Sequence, residues 1–186
     1  MSFPKPYADR VAKLRVPFGF LLIIAFVWLA RPSVLSLMVG LPVSALGLAL
    51  RAWAAGHLEK NLALTESGPY ARVRNPLYLG TLTAAAGLGI AAMRWELDVL
   101  FTAVFLLVYL PVVELEEQHL RQIFPGLNQP GFAEYAGRVP RLVPKLGRVG
   151  AGGKRFKWSG YRHNREYEAL VAFLAAVAVL VWKLLA

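Results

Sequence analysis

Cysteine is missing altogether from the 186 residues, and histidine occurs only three times. Without thiols there are no disulfides, no thiolate nucleophile and no cysteine-ligated metal. His57, His119 and His163 show no metal-ligand spacing, so no metal is predicted, and His57 reads as a boundary or packing residue. Charge is scarce too, at 17% of residues against about 25% in an average soluble domain. Acids are the scarcer sign, 11 against 21 Lys and Arg, for a net charge of +10. No basic helix or aromatic-basic module stands apart from the apolar stretches, so nucleic acid is not an expected partner. No small-residue cleavage site follows the first apolar run, which is therefore read as a retained span rather than a signal peptide. Repeats and low-complexity runs are also lacking.

What the chain has is apolar length. Hydrophobic residues make up 57% of it, and they gather into five stretches, 16–30, 34–50, 76–93, 95–113 and 169–185. These approach or meet the roughly 17–25 residues a membrane helix needs. The segments between them alternate sides, and 18 of the 21 cations fall on one side, all but Arg31, Arg94 and Lys183. Basic residues are retained in the cytoplasm during insertion. The expected fold is an all-α integral membrane protein of five transmembrane helices, N-terminus in, forming a single domain over 1–186. In a prokaryote this is the cytoplasmic membrane. Anionic lipids are expected partners of the juxtamembrane cations, above all along Lys154-Arg155-Phe156-Lys157-Trp158. The sequence sets no oligomeric state.

On the outer side Arg31-Pro32-Ser33 and Arg94 make tight hairpins. The cytosolic side receives two longer segments, 51–75 and 114–168. Gly68-Pro69-Tyr70 reads as a turn. Residues 114 to about 124 continue the fourth helix until Pro125-Gly126 and Pro130-Gly131 break it, and 147–165 is a basic stretch whose Gly-rich part, 147–160, reads as a loop. Small residues at spacing four in the third span (Gly80/Ala84, Ala85/Gly89) allow close helix approach. The run Gly87-Leu88-Gly89-Ile90-Ala91-Ala92 lacks the preceding strand of a dinucleotide fingerprint and reads as packing.

The densest polar constellation lies at the cytosolic ends of spans three and four. Arg72, Arg74, Asn75 and Tyr78 stand at one, and Glu114, Glu116, Glu117, His119 and Arg121 at the other. Ionisable groups at such depth are functional candidates by default, although Glu114, Glu117 and Arg121 also fit a solvated helical stripe. Gly68-Pro69-Tyr70 followed by Arg74-Asn75-Pro76-Leu77-Tyr78-Leu79-Gly80 resembles the first signature of the isoprenylcysteine carboxyl methyltransferase family. Glu116-Glu117-x-x-Leu120, Phe124 and Tyr135-Ala136-Gly137-Arg138-Val139-Pro140 resemble its second, so that the likeness covers about residues 45–146.

The resemblance implies an integral membrane enzyme that uses S-adenosyl-L-methionine (AdoMet) on the cytosolic face without a Rossmann domain. It implies that Arg74, Asn75, Pro76, Tyr78, Leu79, Glu116, Glu117 and Tyr135 hold the cofactor, under a roof made by 125–145. Arg138 and Glu117 are the implied catalytic residues, Arg138 meeting an anionic acceptor. Asn75 stands where eukaryotic members have histidine, and an extra stretch, 125–131, precedes Tyr135. The cofactor-facing aromatic is therefore either Phe132 or Tyr135. The expected reaction is carboxyl methylation of a lipophilic, isoprenylcysteine-like or otherwise lipidated substrate. A carboxylate needs only alignment and partial desolvation, with an arginine to hold it. The rival readings are a phospholipid amine N-methyltransferase, which needs a base such as a glutamate or His119, and a non-catalytic scaffold or small transporter. A nicotinamide-dependent membrane reductase lacks a paired phosphate motif.

Overall fold

Helix is the regular secondary structure throughout the described residues of the computed structural model, which are 4–126, 131–145 and 155–186. In chain order these are α1 (Lys5–Leu29), α2 (Val34–His57), a 3-10 turn (Gly68–Ala71), α3 (Pro76–Ala92) and α4 (Trp95–Val104). A π-helical turn (Phe105–Tyr109), α5 (Leu110–Ile123), α6 (Phe132–Arg138), α7 (Trp158–His163) and α8 (Tyr167–Leu185) follow. The π turn joins α4 and α5 into one 29-residue helix, Trp95–Ile123.

Four helices are long and apolar enough to cross a membrane: Pro6–Leu29, Val34–His57, Trp95–Ile123 and Tyr167–Leu185. Of the five expected spans, the one that falls short is α3. Its 17 residues reach about 26 Å at 1.5 Å per residue, against a hydrocarbon core of about 30 Å. Two other spans begin or end beyond their apolar runs. α1 starts at Lys5 rather than at 16, because scattered Arg and Lys shorten an apolar run without breaking a helix. α2 runs on to His57 rather than stopping at 50. Its Arg51 is neutralised in place by Glu166, whose carboxylate takes Nε at 2.9 Å and Nη2 at 2.8 Å.

α2 and α3 form an antiparallel pair whose contact surface is made of small residues. Gly40, Ser44 and Gly47 face Ala84, Gly87 and Ala91. A Cβ on Gly40 would stand 2.4 Å from the Gly87 carbonyl oxygen, and one on Gly47 would stand 2.5 Å from the Ala84 nitrogen. Ser44 Oγ donates to Ala84 O at 2.9 Å, and Ser36 Oγ to Ala91 O at 2.8 Å. The spacing-four pattern expected in span three is thus used, through Gly80 and Ala84 against α2, while Gly89 lies against the Asp98 carboxylate instead. Gly87 packs on Ser44 and Gly40, the packing role read from the sequence. α2 itself starts at a reciprocal cap, Ser33 Oγ accepting from Ser36 N and Ser36 Oγ from Ser33 N.

The helices alternate in direction. At one end of the bundle, Arg31 N donates to Ala92 O at 2.9 Å, and Lys183 Nζ donates to Trp28 O at 3.1 Å and Ala30 O at 2.8 Å. Arg31, Arg94 and Lys183, the three cations set apart by sequence, therefore share that end. The other end holds the 3-10 turn, α6 and α7. Bulky apolar side chains such as Phe20, Trp28, Leu35, Met38, Val171 and Trp182 are exposed on α1, α2 and α8, as suits lipid-facing surfaces. One expectation is corrected: α7 is helical from Trp158, within the stretch 147–160 read as a loop. Its glycines do not prevent a short helix, because Gly160 sits where a Cβ would crowd the Ala55 carbonyl at 2.9 Å. Residues 147–154 of that stretch, and 127–130 of the expected roof, lie outside the described residues.

Candidate active site

Pro76 begins α3 at its first turn, where the missing N–H is no loss. This aims Asn75, the N-cap residue, and Tyr78 at the neighbouring end of α5. Glu117, on α5, is 2% exposed and fully engaged. Its Oε1 accepts from Asn75 Nδ2 at 3.0 Å, and its Oε2 accepts from Arg141 Nη2 at 2.9 Å and Nε at 3.2 Å. Arg74 Nε approaches Oε1 at 3.3 Å, without the alignment of a hydrogen bond. Glu114, one helical turn earlier, pairs with Arg141 Nη2 at 2.8 Å. An acid so deeply buried is tolerated because cations and an amide surround it.

Main-chain bonds complete the tie. Arg74 N donates to Pro140 O at 2.9 Å, Asn75 N to Arg141 O at 3.2 Å, and Lys145 N to Arg72 O at 2.9 Å. Residues 140–145 therefore lie alongside 72–75, and Arg74 Nη1 reaches Ala136 O of α6 at 3.2 Å. Arg141 is the residue that sequence reasoning missed. It stands one position after the Arg138-Val139-Pro140 motif, and its only signal was that adjacency.

Glu116 is placed differently. It is exposed, and Tyr78 Oη donates to its Oε1 at 2.9 Å. Tyr78 meets Tyr109 edge-on at 6.3 Å, and Tyr109 stacks on Phe105 at 6.3 Å. Tyr109 reaches this position through the π turn. Pro111 has no N–H to give Leu107 O, its helical acceptor, and Tyr7 Oη of α1 donates to that carbonyl instead, at 2.9 Å. π-helical turns often mark functional sites, and a proline inside an apolar run was the available sign.

The remaining sequence candidates fall nearby with different surroundings. Tyr135 Oη donates to Tyr70 O at 2.8 Å. Burial, then the charge of Glu66, raises its phenol well above the ordinary range, so it stays protonated. Phe132 is buried against Tyr135, Leu120 and Phe124 under the Arg121 guanidinium, which is 5.3 Å from its centroid. Both aromatics are buried in one cluster between α5 and α6. Arg138 is 55% exposed and pairs with Glu66 at 2.9 Å, apart from the Glu117 cluster. Pro76 is buried, and Leu79 N donates to Asn75 O at 3.1 Å in the first turn of α3. His57 is buried with Nδ1 3.0 Å from Trp53 O and its ring against Gly68, the packing role expected of it.

Comparison with known proteins adds the family. The cobalt-zinc-cadmium resistance protein CzcN of Cupriavidus metallidurans is 35% identical over 118 residues, 62% of this chain and 51% of that protein. The nickel-cobalt-cadmium resistance protein NccN of Alcaligenes xylosoxydans xylosoxydans is 31% identical over 121 residues, 64% of this chain and 53% of that protein. The chain spans about half the length of the curated relatives it matches. No solved structure matches it significantly. The phospholipid methyltransferase family model matches residues 14–126, from α1 through the end of α5 and so through Asn75, Tyr78, Glu116 and Glu117. That stretch is most of the chain, and the chain belongs to the phospholipid methyltransferase family, a family of membrane methyltransferases.

Proposed function

We propose that the chain is an S-adenosyl-L-methionine-dependent methyltransferase acting on a lipophilic acceptor that reaches the site sideways from the bilayer. The observation that supports this most is the meeting of α3 and α5 in one polar end, where Asn75 reaches Glu117 and Tyr78 reaches Glu116. Five spans, an N-terminus in the cytoplasm and a site on the cytosolic face belong to the same reading. Their support is the sharing of one end by Arg31, Arg94 and Lys183, which leaves the other end strongly basic.

The donor set fits the cofactor. AdoMet, when bound, supplies a methyl group on a positively charged sulfur. The faces of Tyr78 and Tyr109 suit a cation, and Glu116 beside them suits an ammonium or ribose hydroxyl. Arg74, buried with its Nε 3.3 Å from Glu117 Oε1, adds a guanidinium to this end, a group that suits a carboxylate. Asn75, Pro76 and Leu79 shape the end of α3 that the cofactor would meet. Glu117 and Arg141 orient this set by tying 140–145 across it, while Tyr135 holds α6 to the 3-10 turn. Residues 131–145 exclude water from one side.

For the acceptor, the motif resemblance supports an isoprenylcysteine-like carboxylate, which Arg138 would hold through paired N–H donors. The second reading is the amine of a phospholipid headgroup. It is favoured by the family match and by Glu116, an exposed carboxylate placed to take a proton. Calorimetry of the detergent-purified chain with S-adenosylhomocysteine tests the class: micromolar binding that disappears in Tyr78→Ala is expected. A folded chain that binds none of it would instead be a scaffold or transporter. Incubation with labelled AdoMet and a lipid extract then separates the acceptors. Arg138→Ala abolishes transfer to a carboxylate, whereas Glu116→Gln abolishes transfer to an amine.

A further inference from the structure

A cavity of about 400 Å³ opens between the last turn of α2 and α7, lined by none of the residues of the Glu117 cluster. Lys60, Arg155, Lys157 and His163 line it, with Glu59 as the one acid. Glu59 accepts from Lys157 Nζ at 3.0 Å. Among the described residues neither Lys60 nor Arg155 makes a hydrogen bond or ion pair, although the Lys60 charge also acts on the Glu116 carboxylate, so cationic side chains free of direct partners line the opening.

The cavity is built by backbone rather than by a chance meeting of long side chains. Lys157 N donates to Gly56 O at 2.8 Å, and Asn164 Nδ2 donates to Ala55 O at 3.1 Å. Gly56 and Gly160 let the two segments close: a Cβ on Gly56 would stand 2.2 Å from the Phe156 ring. The segment 157–164 is thereby pinned to the end of α2.

The rim is partly apolar: Leu62, a lining residue, is 84% exposed, and Trp158, outside the lining but next in the chain to the lining residue Lys157, is 71% exposed. Both sit where a membrane-crossing helix ends and α8 begins, at the strongly basic end of the bundle. Exposed tryptophan is at home at headgroup depth, and cations there attract anionic lipid. A free anion would use the charge but not the rim. A lipid uses both.

We propose that this cavity binds the headgroup phosphate of an anionic phospholipid, whose chains leave across Leu62 and Trp158. This goes beyond the methyl-transfer reading and holds whatever acceptor is methylated. The test is native mass spectrometry of the full chain in detergent, titrated with phosphatidylglycerol. The wild type retains one phosphatidylglycerol, and phosphatidylcholine binds at least tenfold more weakly. Lys60→Gln/Arg155→Gln weakens phosphatidylglycerol at least tenfold without moving the circular-dichroism melt. Arg10→Gln/Lys13→Gln, exposed on α1 at the same end, leaves binding unchanged. Should the double variant fold poorly, Lys60→Gln alone gives a smaller loss in the same direction. Equal retention of phosphatidylcholine, equal loss in the α1 control, or displacement of the lipid by millimolar inorganic phosphate would each overturn the proposal.

Discussion

The two ends of the pairing between α3 and its neighbours are held by opposite means. From the end shared by Arg31 and Lys183 down to Gly47 and Gly80, α2 and α3 touch through glycine, serine and alanine, and the contact is one of volume. At the other end α3, α5 and residues 140–145 meet through Glu117, Arg141, Arg74 and Asn75, and the contact is one of charge. A volume contact fails when something is added, and a charge contact fails when something is taken away.

Substitutions sharpen that contrast. The largest loss is expected from Glu117→Ala, which strands Arg141 and leaves Arg74 facing a gap. Removing one partner of a buried ion cluster costs about 3–5 kcal/mol, read as a large fall in Tm in detergent. Gly47→Ala comes next. Its Cβ would meet the Ala84 nitrogen and Gly80 oxygen at 2.5 Å, and overpacking of this kind costs about 1–3 kcal/mol. If Gly47→Ala melts like wild type while Glu117→Ala does not, the volume contact is looser than described. Ser33→Ala removes a helix cap and is expected to cost about 1 kcal/mol, visible in the same melt. Smallest is Arg138→Ala. Its pair with Glu66 is solvent-exposed and contributes about 0.2–1 kcal/mol, so its Tm should barely move even if activity on a carboxylate acceptor is lost.

Much of this arrangement was legible in the sequence. Gly68-Pro69 announced the 3-10 turn, Pro76 fixed the start of α3, and the helical run beyond 113 carried Glu116 and Glu117 to the site. The placement of Asn75 beside Glu117 followed from the tight bend at Arg94. What stayed hidden were pairings between residues far apart in the chain. Arg51 looked like the boundary of a span because its neutralising partner, Glu166, lies 115 positions away. Arg141 looked like one more surface cation for the same reason. The glycines around Gly160 suggested a loop, since their use against the α2 backbone shows only in three dimensions. Charge asymmetry, by contrast, needs no partner to be seen, and it correctly grouped Arg31, Arg94 and Lys183.

The wide turn before Pro111 leaves a naked carbonyl halfway along the longest helix, and the phenol of Tyr7 acts as its bolt. An amino-terminal deletion that removed this tyrosine would strip Leu107 O of the donor that Tyr7 supplies. The helix that presents Glu116 would then regain a degree of bending freedom, so that loss of seven leading residues would be felt midway along α5.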